Sequence, residues 1–133
     1  MKNIYVISGV TGMTGSELSR QYITQGHIVI GFDNFFASSI ESVEDLLDNP
    51  LFFFYNYDLN NSIHMDEVCS KAKELKVNTN GELVFINCAA VVHTKHFYEV
   101  ENTFQTNVLG MKDFMQRAIA IGADIYINCS TSE

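Results

Sequence analysis

The chain predicts an α/β fold, a doubly wound parallel sheet of about five strands with helices on both faces, and three observations carry that reading. Short apolar runs alternate with longer stretches of helical character, the pattern of stacked βαβ units. Most of the runs are dense in β-branched and aromatic residues, as strands covered on both faces require. A glycine-rich turn joins the first run directly to the first helical stretch.

The first strand is 2–8 (KNIYVIS), whose lone basic residue and short apolar stretch lack the longer apolar core and cleavage site of a secretory leader. A helix at 14–25 follows, closed by Gly26. Strand 28–32 (IVIGF) leads to a helix at 39–48, and Pro50, the single proline, stands where that helix must stop. Strand 51–57 (LFFFYNY), a helix at 63–76 and strand 82–87 (ELVFIN) come next. A long helix at 97–121, closed by Gly122, and strand 124–129 (DIYINC) complete the order. The chain then stops at Ser130-Thr131-Ser132-Glu133, just past the fifth strand, where an open α/β sheet places its crevice. No repeat, low-complexity tract or linker interrupts the order, so residues 1–133 are read as one domain.

Composition narrows the classes of function. No apolar run approaches the roughly 20 residues of a membrane span, so no membrane partner is expected. A net charge of −8 opposes binding to phosphate backbones, which excludes nucleic acid as an expected partner. Cys69, Cys88 and Cys129 are odd in number and lack C-x-x-C spacing, which predicts reduced thiols, a cytoplasmic setting and no zinc site. Cys88 and Cys129, at the ends of neighbouring strands, are read as packing residues. His93 and His96 lie three apart with Glu99 three further on, but the stretch spans a loop and a helix start, so no metal is expected there. Phe52, Phe53 and Phe54 are read as core, and for Phe35 and Phe36, in the loop after the second strand, core packing is the leading reading and partial cover of a ligand the alternative.

The glycine turn is Ser8-Gly9-Val10-Thr11-Gly12-Met13-Thr14-Gly15, a G-x-x-G-x-x-G spacing between strand and helix. Gly9 permits a tight turn, Gly12 lets the backbone approach a pyrophosphate, and Gly15 lets helix and strand pack closely. Met13 and Thr14 offer backbone N–H groups to the anion at the helix start. These features predict a Rossmann-type sheet of order 3-2-1-4-5. About 20 residues on, Asp33 ends the second strand, where a carboxylate accepts hydrogen bonds from the adenosine ribose hydroxyls of NAD. NADP needs a cation there, yet no Lys or Arg lies between Arg20 and Lys71. The competing readings are a ligand-free βα turn and an ordinary turn aspartate.

With these residues placed, the chain resembles the extended short-chain dehydrogenase/reductase family, the NAD-dependent nucleotide-sugar epimerases, dehydratases and decarboxylases. The glycine turn is similar to the family's TGxxGxxG loop, with Ser8 for the usual Thr, and Asp33-Asn34-Phe35-Phe36 resembles its D-N-[FL] turn. The resemblance implies that Asn34 lies beside the cofactor and that Asp58, with the Leu59 backbone, holds adenine. Asn87-Cys88-Ala89-Ala90 resembles the H-x-A-A segment, which implies that Cys88, Ala89 and Ala90 lie against the cofactor. Thr106 heads a segment similar to T-N-V-x-G and implies a further cofactor contact. Ser130-Thr131-Ser132-Glu133 resembles S-[ST]-x-[ET], with Ser130 on the cofactor side and Thr131 on the catalytic Ser/Thr position.

The resemblance implies transient oxidation of a sugar carbon, a nucleotide-sugar substrate and a homodimer whose contacts, like the substrate lobe, lie partly beyond Glu133. It departs at the general base: none of the six tyrosines has Lys four positions on, so the Tyr-x-x-x-Lys pair is missing and this chain alone is expected to be inactive. The alternative is a non-catalytic NAD-sensing or regulatory module. A methyltransferase with a similar sheet stands third, because its glycine spacing differs.

Overall fold

The computed structural model describes residues 2–34, 39–89 and 109–129. Five parallel strands, β1 (Ile4–Ser8), β2 (Ile28–Phe32), β3 (Phe52–Tyr55), β4 (Leu83–Asn87) and β5 (Ile125–Asn128), form one sheet of order β3-β2-β1-β4-β5. The helices are α1 (Met13–Thr24), α2 (Ser62–Val77) and α3 (Met111–Ala120), with a 3-10 segment at Ile40–Leu46. The sequence-derived order of strands is therefore the observed one.

Alternation along the strands explains why helices are needed on both faces. Ile4 and Val6, Ile30 and Phe32, and Leu83 and Phe85 meet Met65, Val68 and Ala72 of α2 and Phe114 and Ala118 of α3. The intervening Ile7, Val29, Val84 and Ile86 meet Ile23 of α1 and Val43 and Leu46 of the 3-10 segment. Both sets are buried, which is why the strands read as continuous apolar runs. Edge strand β5 is the exception, with Ile125 and Ile127 exposed.

Two local expectations change. The helix expected at 39–48 is a 3-10 segment, with i to i+3 bonds from Ser42 N–H to the Ser39 carbonyl and from Leu47 N–H to the Glu44 carbonyl. Its apolar residues Ile40, Val43 and Leu46 recur every third position, a period that a three-residue turn places on one line. The strand expected at 51–57 covers Phe52–Tyr55, because β2 ends at Phe32 and supplies no ladder partner beyond Tyr55. Of the helix expected at 97–121, the part before residue 109 lies outside the described residues. Gly26 and Gly122 do close α1 and α3, at φ +89° and +77°.

Helix α2 starts on Asn61, whose Oδ1 accepts the N–H groups of Ile63 and His64 at 3.0 and 3.1 Å. Asn61→Ala is expected to lower stability by about 1 kcal/mol in urea unfolding, and an unchanged midpoint would show that water replaces the cap. Among the described residues no helix is long and apolar enough to cross a membrane, and no group of three metal-ligating side chains stands together.

Candidate functional site

The order of the sheet places the carboxyl ends of β1 and β4 side by side, while the chain runs to β2 and β3 on one side and to β5 on the other. Such a reversal opens a crevice at the strand ends. Gly9 leaves β1 at φ +65°, and a Cβ there would stand 2.7–2.8 Å from Ala89 N, Ala89 Cα and Cys88 C. The backbone at 88–89 thus rests directly against the turn. Gly15 packs as closely, since its Cβ would lie 2.5 Å from the Gly9 carbonyl oxygen and 2.9 Å from Val10 Cα.

Gly12 occupies the N-cap of α1 in extended backbone and has no side chain with which to cap the helix. Its N–H donates to the Gly9 carbonyl at 3.1 Å and its carbonyl accepts from Ser16 at 2.9 Å. Met13 and Thr14, both exposed, form the first turn, which carries no acidic residue. A helix start without a side-chain cap leaves its N–H groups to water or to an anionic ligand.

Asp33 stands immediately after β2, 8% exposed, and its Oδ2 accepts the Thr11 N–H at 3.2 Å. The acid after the second strand and the glycine turn after the first are therefore joined by a hydrogen bond. Asn34 beside it is exposed. Gly31, inside β2, leaves room for Val10 of the turn, whose side-chain carbons lie 2.5–2.9 Å from where its Cβ would be.

Two groups to which the motif reading gave no role hold the crevice together. Ser8, fully buried at the end of β1, donates its hydroxyl to Asn87 Oδ1 and accepts the N–H groups of Cys88 and Ala89 at 3.1 and 3.3 Å. Asn87, buried at the end of β4, donates Nδ2 to Asn128 Oδ1 at 2.8 Å. The available signal was a polar residue closing an apolar strand, three times over. The hydroxyl explains why Ser serves where the family motif has Thr.

Asp58 follows β3, two strands from β1 toward the sheet edge. Its Oδ1 accepts Asn60 N–H at 2.8 Å and its own N–H donates to His64 Nδ1 at 3.0 Å. The His64 ring stacks on Tyr57 at 4.4 Å. The Leu59 side chain belongs to the core, 6% exposed. Ala90, Thr106, Ser130 and Thr131, with Phe35, Phe36, His93, His96 and Glu99, lie outside the described residues.

Cys88 and Cys129 bring their sulfurs to 3.5 Å at the ends of β4 and β5. Burial, and then the Cys129 neighbour, push the Cys88 thiol up and keep it protonated at neutral pH. Only the thiolate attacks an alkylating reagent, and each unit of elevation lowers its population about tenfold. Iodoacetamide at pH 8 is therefore expected to label Cys88 at least about tenfold more slowly in the folded chain than in urea, read by mass spectrometry, and equal rates would refute the assignment.

The model of the NAD dependent epimerase/dehydratase family matches residues 5–133 of this sequence. The chain belongs to that family. Among curated proteins, UDP-glucuronic acid decarboxylase 4 of Arabidopsis thaliana is 29% identical over 129 residues, 96% of this chain and 26% of its own length. The UDP-glucose 4-epimerase of Thermotoga maritima, solved with UDP-glucose, aligns with a TM-score of 0.72 at 22% identity, over 97% of this chain and 38% of its own. WbmG of Bordetella bronchiseptica, solved with NAD and UDP, aligns with a TM-score of 0.71 at 19% identity, over 96% and 37%. The chain thus spans about a quarter to two fifths of these relatives.

Proposed function

We propose that this chain is the dinucleotide-holding part of an epimerase/dehydratase-family enzyme that alters a nucleotide sugar by transient oxidation of a sugar carbon. The observation that carries the reading is the hydrogen bond from Thr11 to Asp33, which sets a carboxylate beside a helix start that has no side-chain cap. The residues fit the group. Gly12 leaves the backbone bare for a pyrophosphate, the first-turn N–H groups offer it donors, and Asp33 offers acceptors to the adenosine ribose. Bound NAD would supply the hydride acceptor, while the chain's own part is to bind, orient and select it.

The 29%-identical relative is named for a UDP-sugar acid, and a structural neighbour was solved with UDP-glucose, which supports a nucleotide sugar as the substrate class. Cys88, Ala89 and Ala90 belong against the cofactor, Asp58 and Leu59 at its adenine end, Asn34, Thr106 and Ser130 along it, and Thr131 at the sugar hydroxyl. Because none of the six tyrosines in these residues has Lys four positions on, residues 1–133 by themselves bind the dinucleotide without turning over a sugar.

Calorimetric titration of the chain tests the reading. NAD is expected to bind at least about tenfold more tightly than NADP, because a carboxylate repels the 2′-phosphate and no Lys or Arg lies between Arg20 and Lys71. Equal or reversed affinities would overturn it.

A further inference from the structure

The hydrogen bonds around Asp33 continue beyond the glycine turn. Thr11 donates its N–H to Asp33 Oδ2, and its carbonyl accepts the hydroxyl of Ser42 from the 3-10 segment, 31 residues away in sequence. The same hydroxyl lies 3.1 Å from the Ser39 carbonyl, a longer contact within its own segment. The Ser42 carbonyl accepts Arg20 Nη2 of α1 at 2.6 Å. Arg20 is gripped by both oxygens of Asp45, at 2.8 and 2.9 Å, and lies 3.4 Å from Glu17. Val43 and Leu46, buried beneath, press the segment onto the sheet.

This arrangement immobilises one peptide unit in particular. The carbonyl of Thr11 and the N–H of Gly12 belong to the same planar group; the first is taken by Ser42 and the second by the Gly9 carbonyl at 3.1 Å. With both ends held, the peptide cannot rotate, and the neighbouring Thr11 N–H stays directed at Asp33. A loop fixed before binding loses little freedom when a ligand arrives, which is how a residue outside the contact surface raises affinity.

We propose that Ser42 is a positioning residue for NAD: its hydroxyl, held in place through the Arg20–Asp45 pair, fixes the Thr11–Gly12 peptide and through it Asp33. The proposal rests on the NAD reading above and adds to it a determinant that no glycine motif contains. Ser42 acts through Thr11 and touches no part of the dinucleotide. Losing one hydrogen bond of this kind corresponds to about three- to tenfold in affinity.

The experiment is calorimetric titration with NAD and NADP of the chain and of Ser42→Ala, Ser42→Thr, Asp33→Ala and Asp124→Ala, with unfolding midpoints measured in parallel. Asp124→Ala removes the acceptor that holds the Leu83 N–H at 2.8 Å where β4 begins, at the end of the sheet opposite the crevice, and so measures what lost stability alone does to binding. Ser42→Ala is expected to weaken NAD about three- to tenfold, Ser42→Thr to restore it, and Asp124→Ala to leave it within about twofold. Wild-type affinity in Ser42→Ala, or an equal loss in Asp124→Ala, overturns the role of Ser42. NAD binding lost in Asp33→Ala but untouched in Ser42→Ala overturns that role alone. A wild-type chain that fails to bind NAD overturns the cofactor reading and this proposal with it.

Discussion

Gly9→Ala is expected to lower the unfolding free energy of the chain by about 2–5 kcal/mol and to abolish NAD binding at concentrations that saturate the wild type. Two effects combine. At φ +65° an L-residue carries a backbone cost of about 1–2 kcal/mol. The new methyl also lands 2.7–2.8 Å from backbone atoms of Cys88 and Ala89, which cannot swing aside as the end of a flexible side chain would. Overpacking of that kind typically costs about 1–3 kcal/mol. The displaced backbone is itself held by Ser8, which accepts both the Cys88 and the Ala89 N–H, so the strain reaches the ends of β1 and β4 together. Urea unfolding measures the first part and calorimetry the second. A loss below about 1 kcal/mol would show that the turn relaxes and that the contact with 88–89 is not structural. Gly26→Ala is the control: its φ is +89° but nothing lies within 4 Å of its Cβ, so it isolates the backbone cost from the clash.

Asp33→Ala is expected to weaken NAD about ten- to hundredfold and to close most of the gap to NADP, while the chain stays folded. The fold survives because Phe32 beside it remains buried and β2 keeps its ladder with β1 and β3. Stability falls by about 1 kcal/mol, since the Thr11 N–H loses its acceptor. The binding loss is larger because a charge-assisted hydrogen bond from a ribose hydroxyl to a carboxylate is worth about 1.5–3 kcal/mol. NADP gains little in absolute terms. Removing the carboxylate removes repulsion, but the nearest cation in sequence, Arg20, is already bound by Asp45 and the Ser42 carbonyl. Arg20 in turn holds the Asp45 carboxyl below the usual carboxylate range. Asp33→Asn keeps an acceptor for Thr11 while removing the charge, so it is expected to fall between wild type and Ala. An unchanged NAD to NADP ratio in both variants would reduce Asp33 to a loop anchor.

Much of this molecule was written locally. Runs such as IYVIS, IVIGF and LVFIN are apolar at every second position on both faces, which forces a sheet covered on each side. Gly9 and Gly15 mark the strand-to-helix turn because no side chain fits where the backbone approaches 88–89 or the Gly9 carbonyl. Asp33 is legible by its distance from that turn. Each of these signals lies within one element or between neighbours in sequence, and propensity and spacing are sufficient to read it.

What the tertiary structure alone decided is how these pieces hold each other. Ser42 reaches Thr11 across 31 residues, and Ser8 reaches Asn87 across 79. Cys88 meets Cys129 only because β4 and β5 pair in register. The segment at 40–46 winds as a 3-10 turn because Ile40, Val43 and Leu46 must all reach the same apolar face. A hydroxyl, an amide or a thiol carries no local mark of its eventual partner. Its role comes from the order of the strands, which brings distant chain positions to the same end of the sheet.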